Sequence, residues 1–297
     1  MESSSTMPRS GYQAAAIILV SLGVLVTAIL ITLFVTDRSG NNTHPTDAGE
    51  ATLGHVHGLG VDPDDDTLYI ATHTGVFTFN DGRLERVADR WQDTMGFAVV
   101  GPKHFLASGH PDLREDLPSM LGLIESTDGA ETWQSLSLEG EADLHAIEPT
   151  KGSVYAFESS SGRLIASDDR RDWRTIDQRP LLDLAALATS TGDQLLATTP
   201  NGELLRYEGA SQAPTPVAGA PLLTYIDWAG PNQLVGTTAG GDIFTSTTGD
   251  DWQQVGVVVG EVTALDAGPG AWHLATDGGV FTSTDGGKSW KLLVEIS

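Results

Sequence analysis

Residues 262–297 read VTALDAGPGAWHLATDGGVFTSTDGGKSWKLLVEIS. An apolar segment from Val262 runs into a Gly-Pro turn, and a second segment ends HLAT. A glycine turn follows, then GVFTS, and an alternating KLLVEIS closes the unit. Short alternating segments between glycine-rich turns, with no helical periodicity, read as antiparallel strands. The same order occurs six times. First strands begin HVHGLGV at His55, TMGFAVV at Thr94, DLHAIEP at Asp143, DLAALAT at Asp183, YIDWAGP at Tyr225 and VTALDAG at Val262. Successive first strands lie close to forty residues apart, the second unit being longer. A period of this size in an all-β chain indicates propeller blades, whose sheets bury both faces only by packing on neighbours in a ring. Residues 54–297 are therefore expected to form a six-bladed β-propeller. KLLVEIS alternates as an outer strand, so blade six should complete itself without a strand from before His55.

Two turns carry a family signature. Ser126-Thr127-Asp128-Gly129-Ala130-Glu131-Thr132-Trp133 and Ser283-Thr284-Asp285-Gly286-Gly287-Lys288-Ser289-Trp290 share the pattern S-T-D-G-x-x-[TS]-W. Worn copies stand at 167–173 and 246–252. An aspartate can accept backbone N–H groups inside such a turn, glycine supplies an unusual dihedral, and tryptophan can pack between sheets. The chain resembles the BNR/Asp-box sialidase-like propellers, and in particular membrane-anchored bacterial proteins usually labelled glycosylhydrolases. The resemblance covers everything from Gly54 onward and speaks to fold, since in that family the box lies on the rim opposite the active face. A sialidase would also need three arginines on the substrate carboxylate, a tyrosine–glutamate pair and an acidic proton donor. No arginine of the repeat region begins a first strand, and the Phe/Tyr-Arg-Ile-Pro motif is absent. An active sialidase is not expected.

Residues 14–35, AAAIILVSLGVLVTAILITLFV, contain no charge. As a helix, 22 residues rising about 1.5 Å each would reach about 33 Å, enough for a bilayer core of about 30 Å. A cleaved signal peptide would have a shorter apolar region ending in a small-x-small site; this run exits through Thr36, Asp37 and Arg38. The expected organisation is a short tail (1–13), a single-pass transmembrane anchor (14–35), a polar linker (36–53) containing His44, and the propeller (54–297) on the extracytoplasmic side of the cell membrane. Flanking charge barely orients the anchor, with Arg9 on one side and Arg38 on the other.

The chain has 40 acidic and 16 basic side chains, a formal charge of −24, and no cysteine. Disulfides, thiolate metal sites and thiol nucleophiles are excluded. So large a negative charge argues against a nucleic-acid partner and favours cations near the surface.

With the first strands aligned on Leu59, Phe97, Ile147, Leu187, Trp228 and Leu265, the position two residues earlier carries His57, Met95, His145, Ala185, Ile226 and Thr263. Two earlier again stand His55, Asp93, Asp143, Asp183, Thr224 and Glu261. In a propeller the starts of first strands share a face with the loops joining second to third strands. Those loops hold His73 in blade one and His110 in blade two. His55, His57, His73, His110 and His145, with Met95, are thus expected to converge at the channel mouth of blades one to three. Asp93, Asp143, Asp183 and Glu261 would form an acidic ring that concentrates cations. Imidazoles suit borderline metals and a thioether leans towards copper, so copper is expected first and zinc second. His104 and His273 lie at far ends of their strands and read as structural.

The leading expectation is a membrane-anchored binding propeller with a metal ion or small ligand at its mouth. A glycoside hydrolase using Glu141, Asp143 or Asp183 as acid or base is the alternative. A propeller acting as an assembly factor, with a protein partner, is the third.

Overall fold

In the computed structural model, residues 53–208 and 213–296 are described. They form six four-stranded antiparallel sheets, each built from four strands consecutive in sequence and paired in order. This is the expected six-bladed β-propeller. Blade one comprises Val56–Val61, Leu68–Thr72, Gly75–Asn80 and Arg83–Arg86, and blade six Val262–Ala267, Trp272–Thr276, Gly279–Ser283 and Lys291–Glu295. Blade six supplies all four of its own strands, and among the described residues no exchanged strand joins its sheet. The expected anchor at 14–35 and nearly all of the linker, His44 included, lie outside the described residues. Among the described residues no helix is long and apolar enough to cross a membrane.

Six apolar clusters hold the ring, one at each seam between neighbouring blades. Between blades three and four, for example, Phe157 and Leu164 pack with Leu184, Leu195 and Leu205. The seam between blades six and one gathers Ala264, Ala275 and Val280 against Val56, Ile70 and Phe77. Leu53, the last residue of the expected linker, is buried in that seam at 1% exposure, so the core reaches past the expected boundary at Gly54. Every sheet is covered on both sides, which is why its inner strands read as nearly continuous apolar runs.

The two S-T-D-G-x-x-[TS]-W turns share one hydrogen-bond pattern. Asp128 accepts from the Thr132 amide (2.9 Å) and hydroxyl (2.6 Å), while the Ser126 hydroxyl accepts from the Ala130 amide (2.9 Å). Asp285 accepts from the Ser289 amide (3.0 Å) and hydroxyl (2.6 Å), and Ser283 from the Gly287 amide (2.9 Å). Trp133, Trp173, Trp252 and Trp290 each pack in the seam between their own blade and the preceding one. The turns thus bolt a large aromatic wedge into each seam they serve.

Candidate metal centre at the mouth of the ring

Four inner strands carry a β-bulge at the same place. In blade one the pairing steps from Val56–Thr72 to Gly58–Ala71, leaving His57 as the extra residue. Blade two steps from Thr94–Gly109 to Gly96–Ser108, leaving Met95. Blade three leaves His145, and blade six leaves Thr263. A bulge puts two residues opposite one and re-aims the unpaired side chain. All four of these residues line the central channel, a cavity of about 310 Å³. Blades four and five pair regularly at this point; their equivalents Ala185 and Ile226 are buried in the inter-blade core, 0% and 2% exposed.

His57 does not stand alone. Its Nε2 lies 3.1 Å from Nδ1 of His73, which occupies the turn after the second strand of blade one. The same His73 Nδ1 lies 2.9 Å from Oδ1 of Asp93, the first residue of the inner strand of blade two. His57 Nε2 and Asp93 Oδ1 are 3.9 Å apart. Three potential ligand atoms from two blades therefore surround one point. The single hydrogen that His73 Nδ1 can carry serves Asp93 or His57 but not both. Burial, reinforced by the neighbouring His73, His55 and His145, pushes the His57 pKa down to about 3. Its imidazole is neutral at physiological pH, which is the form that ligates metals. His55 stacks on His73 with ring centroids 5.7 Å apart, and burial followed by His73 also lowers its pKa.

Asp93 is held in place by a glycine. Gly109 pairs beside it with φ +143°, a region that disfavours any side chain, and a Cβ there would collide with the Asp93 carbonyl oxygen.

The remaining expected ligands are placed differently. His145 donates from Nε2 to Asp143 Oδ2, 2.8 Å away, and the Ser159 hydroxyl donates to the same oxygen at 3.0 Å. Burial raises the Asp143 pKa, but the His145 hydrogen bond and charge outweigh it and the net shift is downward. The His110 ring meets the Ser119 carbonyl oxygen at 2.7 Å within its own loop. That loop folds back through Asp112, whose carboxylate binds Arg114 and the Trp91 amide. Met95 lines the channel without joining the converging trio. Asp93, read from sequence only as part of an acidic ring, is the residue that joins it; its signal was its register with His55. Glu141 is exposed on the rim. His104 pairs with Glu125 at 2.7 Å, and buried His273 lies 3.5 Å from Asp266.

Deeper in the channel lies a second feature, of which the sequence reading had only Asp183. Glu148, Asp183, Asp227 and Asp266 line the same cavity. Three of them tie their blade to the next. Glu148 accepts the Ala186 amide (3.1 Å), Asp183 the Ile226 amide (2.8 Å) and Asp227 the Ala267 amide (2.6 Å). Burial pushes Asp183 up to about 7. Burial and the nearby Asp266 push Asp227 up to about 8, and burial with Asp227 also raises Glu148. For Asp183 and Asp227 the main cause is burial, which strips an ionised carboxylate of its hydration; at Asp227 the neighbouring Asp266 adds to it.

No protein-family model matches the chain, and no curated protein matches it. Several solved β-propellers share its architecture. The gluconolactonase XC5397 of Xanthomonas campestris aligns with TM-score 0.60 and 10% identity over 76% of this chain and 84% of that one. YCF48 bound to D1 peptide aligns with TM-score 0.50 and 16% identity over 85% and 87%. An extracellular domain assigned to a hybrid two-component system of B. thetaiotaomicron aligns with TM-score 0.55 and 12% identity. That match covers 84% of this chain and 34% of the other, so the chain spans about a third of its length. Likenesses at this level of identity establish the fold.

Proposed function

We propose that the chain is an extracytoplasmic binding propeller, tethered to the cell membrane by residues 14–35, that holds a transition-metal ion between His57, His73 and Asp93. One observation carries the reading: the three ligand atoms are separated by 2.9, 3.1 and 3.9 Å. Tetrahedral zinc with ligands at about 2.0–2.1 Å sets neighbouring donors about 3.3–3.4 Å apart, a value these separations bracket. Two imidazoles and a carboxylate suit zinc, whereas the preference for copper rested on the Met95 thioether. Zinc therefore comes first and copper second. Three protein ligands leave a fourth position for water or a small ligand. The charge of −24 would concentrate cations around the site. The two complete box turns support kinship with the Asp-box propellers, and the extracellular B. thetaiotaomicron neighbour fits an exported ring. Elemental analysis of the purified full-length chain, with thermal unfolding in zinc, copper(II), copper(I) and chelator, tests the reading. Stoichiometric metal with a metal-dependent midpoint supports it; a metal-free protein whose midpoint ignores every ion overturns it.

A second reading has its own observation. A proton-holding Asp183 beside other channel carboxyls is the arrangement of a general acid with a partner base. Hydrolysis of glycosides by the metal-free protein, lost in Asp183→Asn, would favour that reading.

A further inference from the structure

The loops of a four-stranded antiparallel blade alternate between two faces. Those entering an inner strand and those joining second to third strands share the mouth face; the others share the opposite face. The chain's four lysines all fall on the opposite face. Lys103 and Lys151 stand between first and second strands, Lys288 lies in a box turn, and Lys291 begins an outer strand. Exposed large apolar residues sort the other way, Leu292 near the start of the outer strand of blade six excepted. Leu113 and Leu117 lie in the long loop of blade two, Leu222 before the inner strand of blade five and Val259 before that of blade six. Leu113 is 91% exposed, Val259 86% and Leu222 68%.

Charge on the mouth face is equally one-sided. Its arginines are already engaged: Arg86 by the Phe77 and Trp91 rings, Arg90 by Glu115, Arg114 by Asp89 and Asp112, Arg163 by Glu158 and Arg179 by Asp177. Asp116, Glu139, Glu141 and Glu261 on the same face have no ion pair among the described residues. Exposed apolar side chains and unpaired carboxylates thus share one face of the ring, the combination that a binding surface presents. We propose that the mouth face docks a basic polypeptide segment whose apolar side chains seat on Leu113, Leu222 and Val259 while its lysines or arginines meet the free carboxylates. An anionic lipid surface would be repelled, and a second copy placed mouth to mouth would bring acid against acid. The proposal stands independently of the metal reading.

The test uses the purified full-length chain and three labelled short peptides: Lys/Leu, Lys/Ser of equal charge, and Glu/Leu. Binding is followed by fluorescence anisotropy at about 0.15 M salt, where diffuse attraction is screened beyond about 8 Å. Saturable one-to-one binding of Lys/Leu, about tenfold or more tighter than Lys/Ser, with none of Glu/Leu, is expected. The combined variant Leu113→Ser, Leu222→Ser, Val259→Ser should bring Lys/Leu down to the Lys/Ser level. Leu292→Ser, at an exposed position on the outer strand of blade six, should change nothing. The proposal is overturned if the triple variant binds like wild type or if the two lysine peptides bind alike. It is also overturned if wild type self-associates in sedimentation, or floats with phosphatidylcholine vesicles, through these same three residues.

Discussion

His57 and His145 are the extra residues of the same bulge in the inner strands of blades one and three, yet their rings meet different partners. The first faces His73 beside Asp93, and the second is bound to the Asp143 carboxylate. Equivalent backbone geometry aims both into the channel; the turn that follows the second strand decides what each one finds. Blade one places His73 there, whereas blade three places Ser159.

The two histidines should therefore separate experimentally. Loss of His57 removes a ligand, so His57→Ala is expected to weaken zinc binding by more than about a hundredfold and erase the zinc-induced rise in unfolding midpoint. His145→Ala leaves the trio intact and should cost about tenfold at most. Calorimetric titration of both variants checks the contrast, and equal losses would mean that the ion sits across blades one and three instead.

Gly109 offers a route to the site without touching a ligand. Gly109→Ala forces a side chain into a positive-φ position against the Asp93 carbonyl. A stability loss of about 1–3 kcal/mol is expected, together with weaker zinc binding because Asp93 must shift. Denaturant unfolding and titration of the same sample read both effects; unchanged zinc affinity would detach Asp93 from the site.

Protons held on two channel carboxyls should favour the ring. The folded state holds protons on Asp183 and Asp227 up to about 7 and about 8, more tightly than an unfolded chain, whose aspartates titrate near 3.8. Wherever the folded form binds more protons, stability declines with rising pH. Their contribution is complete below pH 3.8 and is lost as pH climbs through 7 to 8. The double variant Asp183→Asn, Asp227→Asn keeps oxygen acceptors for the Ile226 and Ala267 amides and should flatten the decline. Metal-free unfolding midpoints between pH 5 and pH 9 measure it, and a variant with the wild-type slope would assign the pH dependence elsewhere.

Much of this was legible along the chain, and the parts that were not share a cause. Blade number, strand order, the wedge role of Trp133 and Trp290 and the self-sufficiency of blade six all follow from a repeat whose strands alternate with period two. A bulge adds one residue and reverses that alternation downstream. Glu148 and Asp266 follow the bulges at His145 and Thr263, so a strict two-residue count turns them away from the channel that they line. Asp227 was missed because its strand, aligned through Trp228, has no bulge at the shared position. His57 and Met95 were found because they are the bulged residues themselves. Which carboxylate would meet His73 depended on a contact between blades that no spacing within one blade reports.

Leu53 provides a check on where the ring begins. Leu53→Ala should cost about 2–5 kcal/mol, as expected for a fully buried leucine. Deletion of residues 50–52 should cost little, since blade six already has its four strands. Thermal unfolding of the two variants decides, and a larger loss from the deletion would show that the upstream residues help to close the ring.

Self-completion of blade six also has a mechanical meaning. Many hydrogen bonds would have to break at once if a strand from one end of the chain were laced into the blade at the other end. Among the described residues no ladder crosses that junction, and side-chain packing between the first and last blades carries it. Leu53 sits inside that packing, just before the strand that begins at Val56. A pull applied at Leu53 would draw its side chain from the seam and then pry two blades apart, a low-force opening that starts beside the His57 strand.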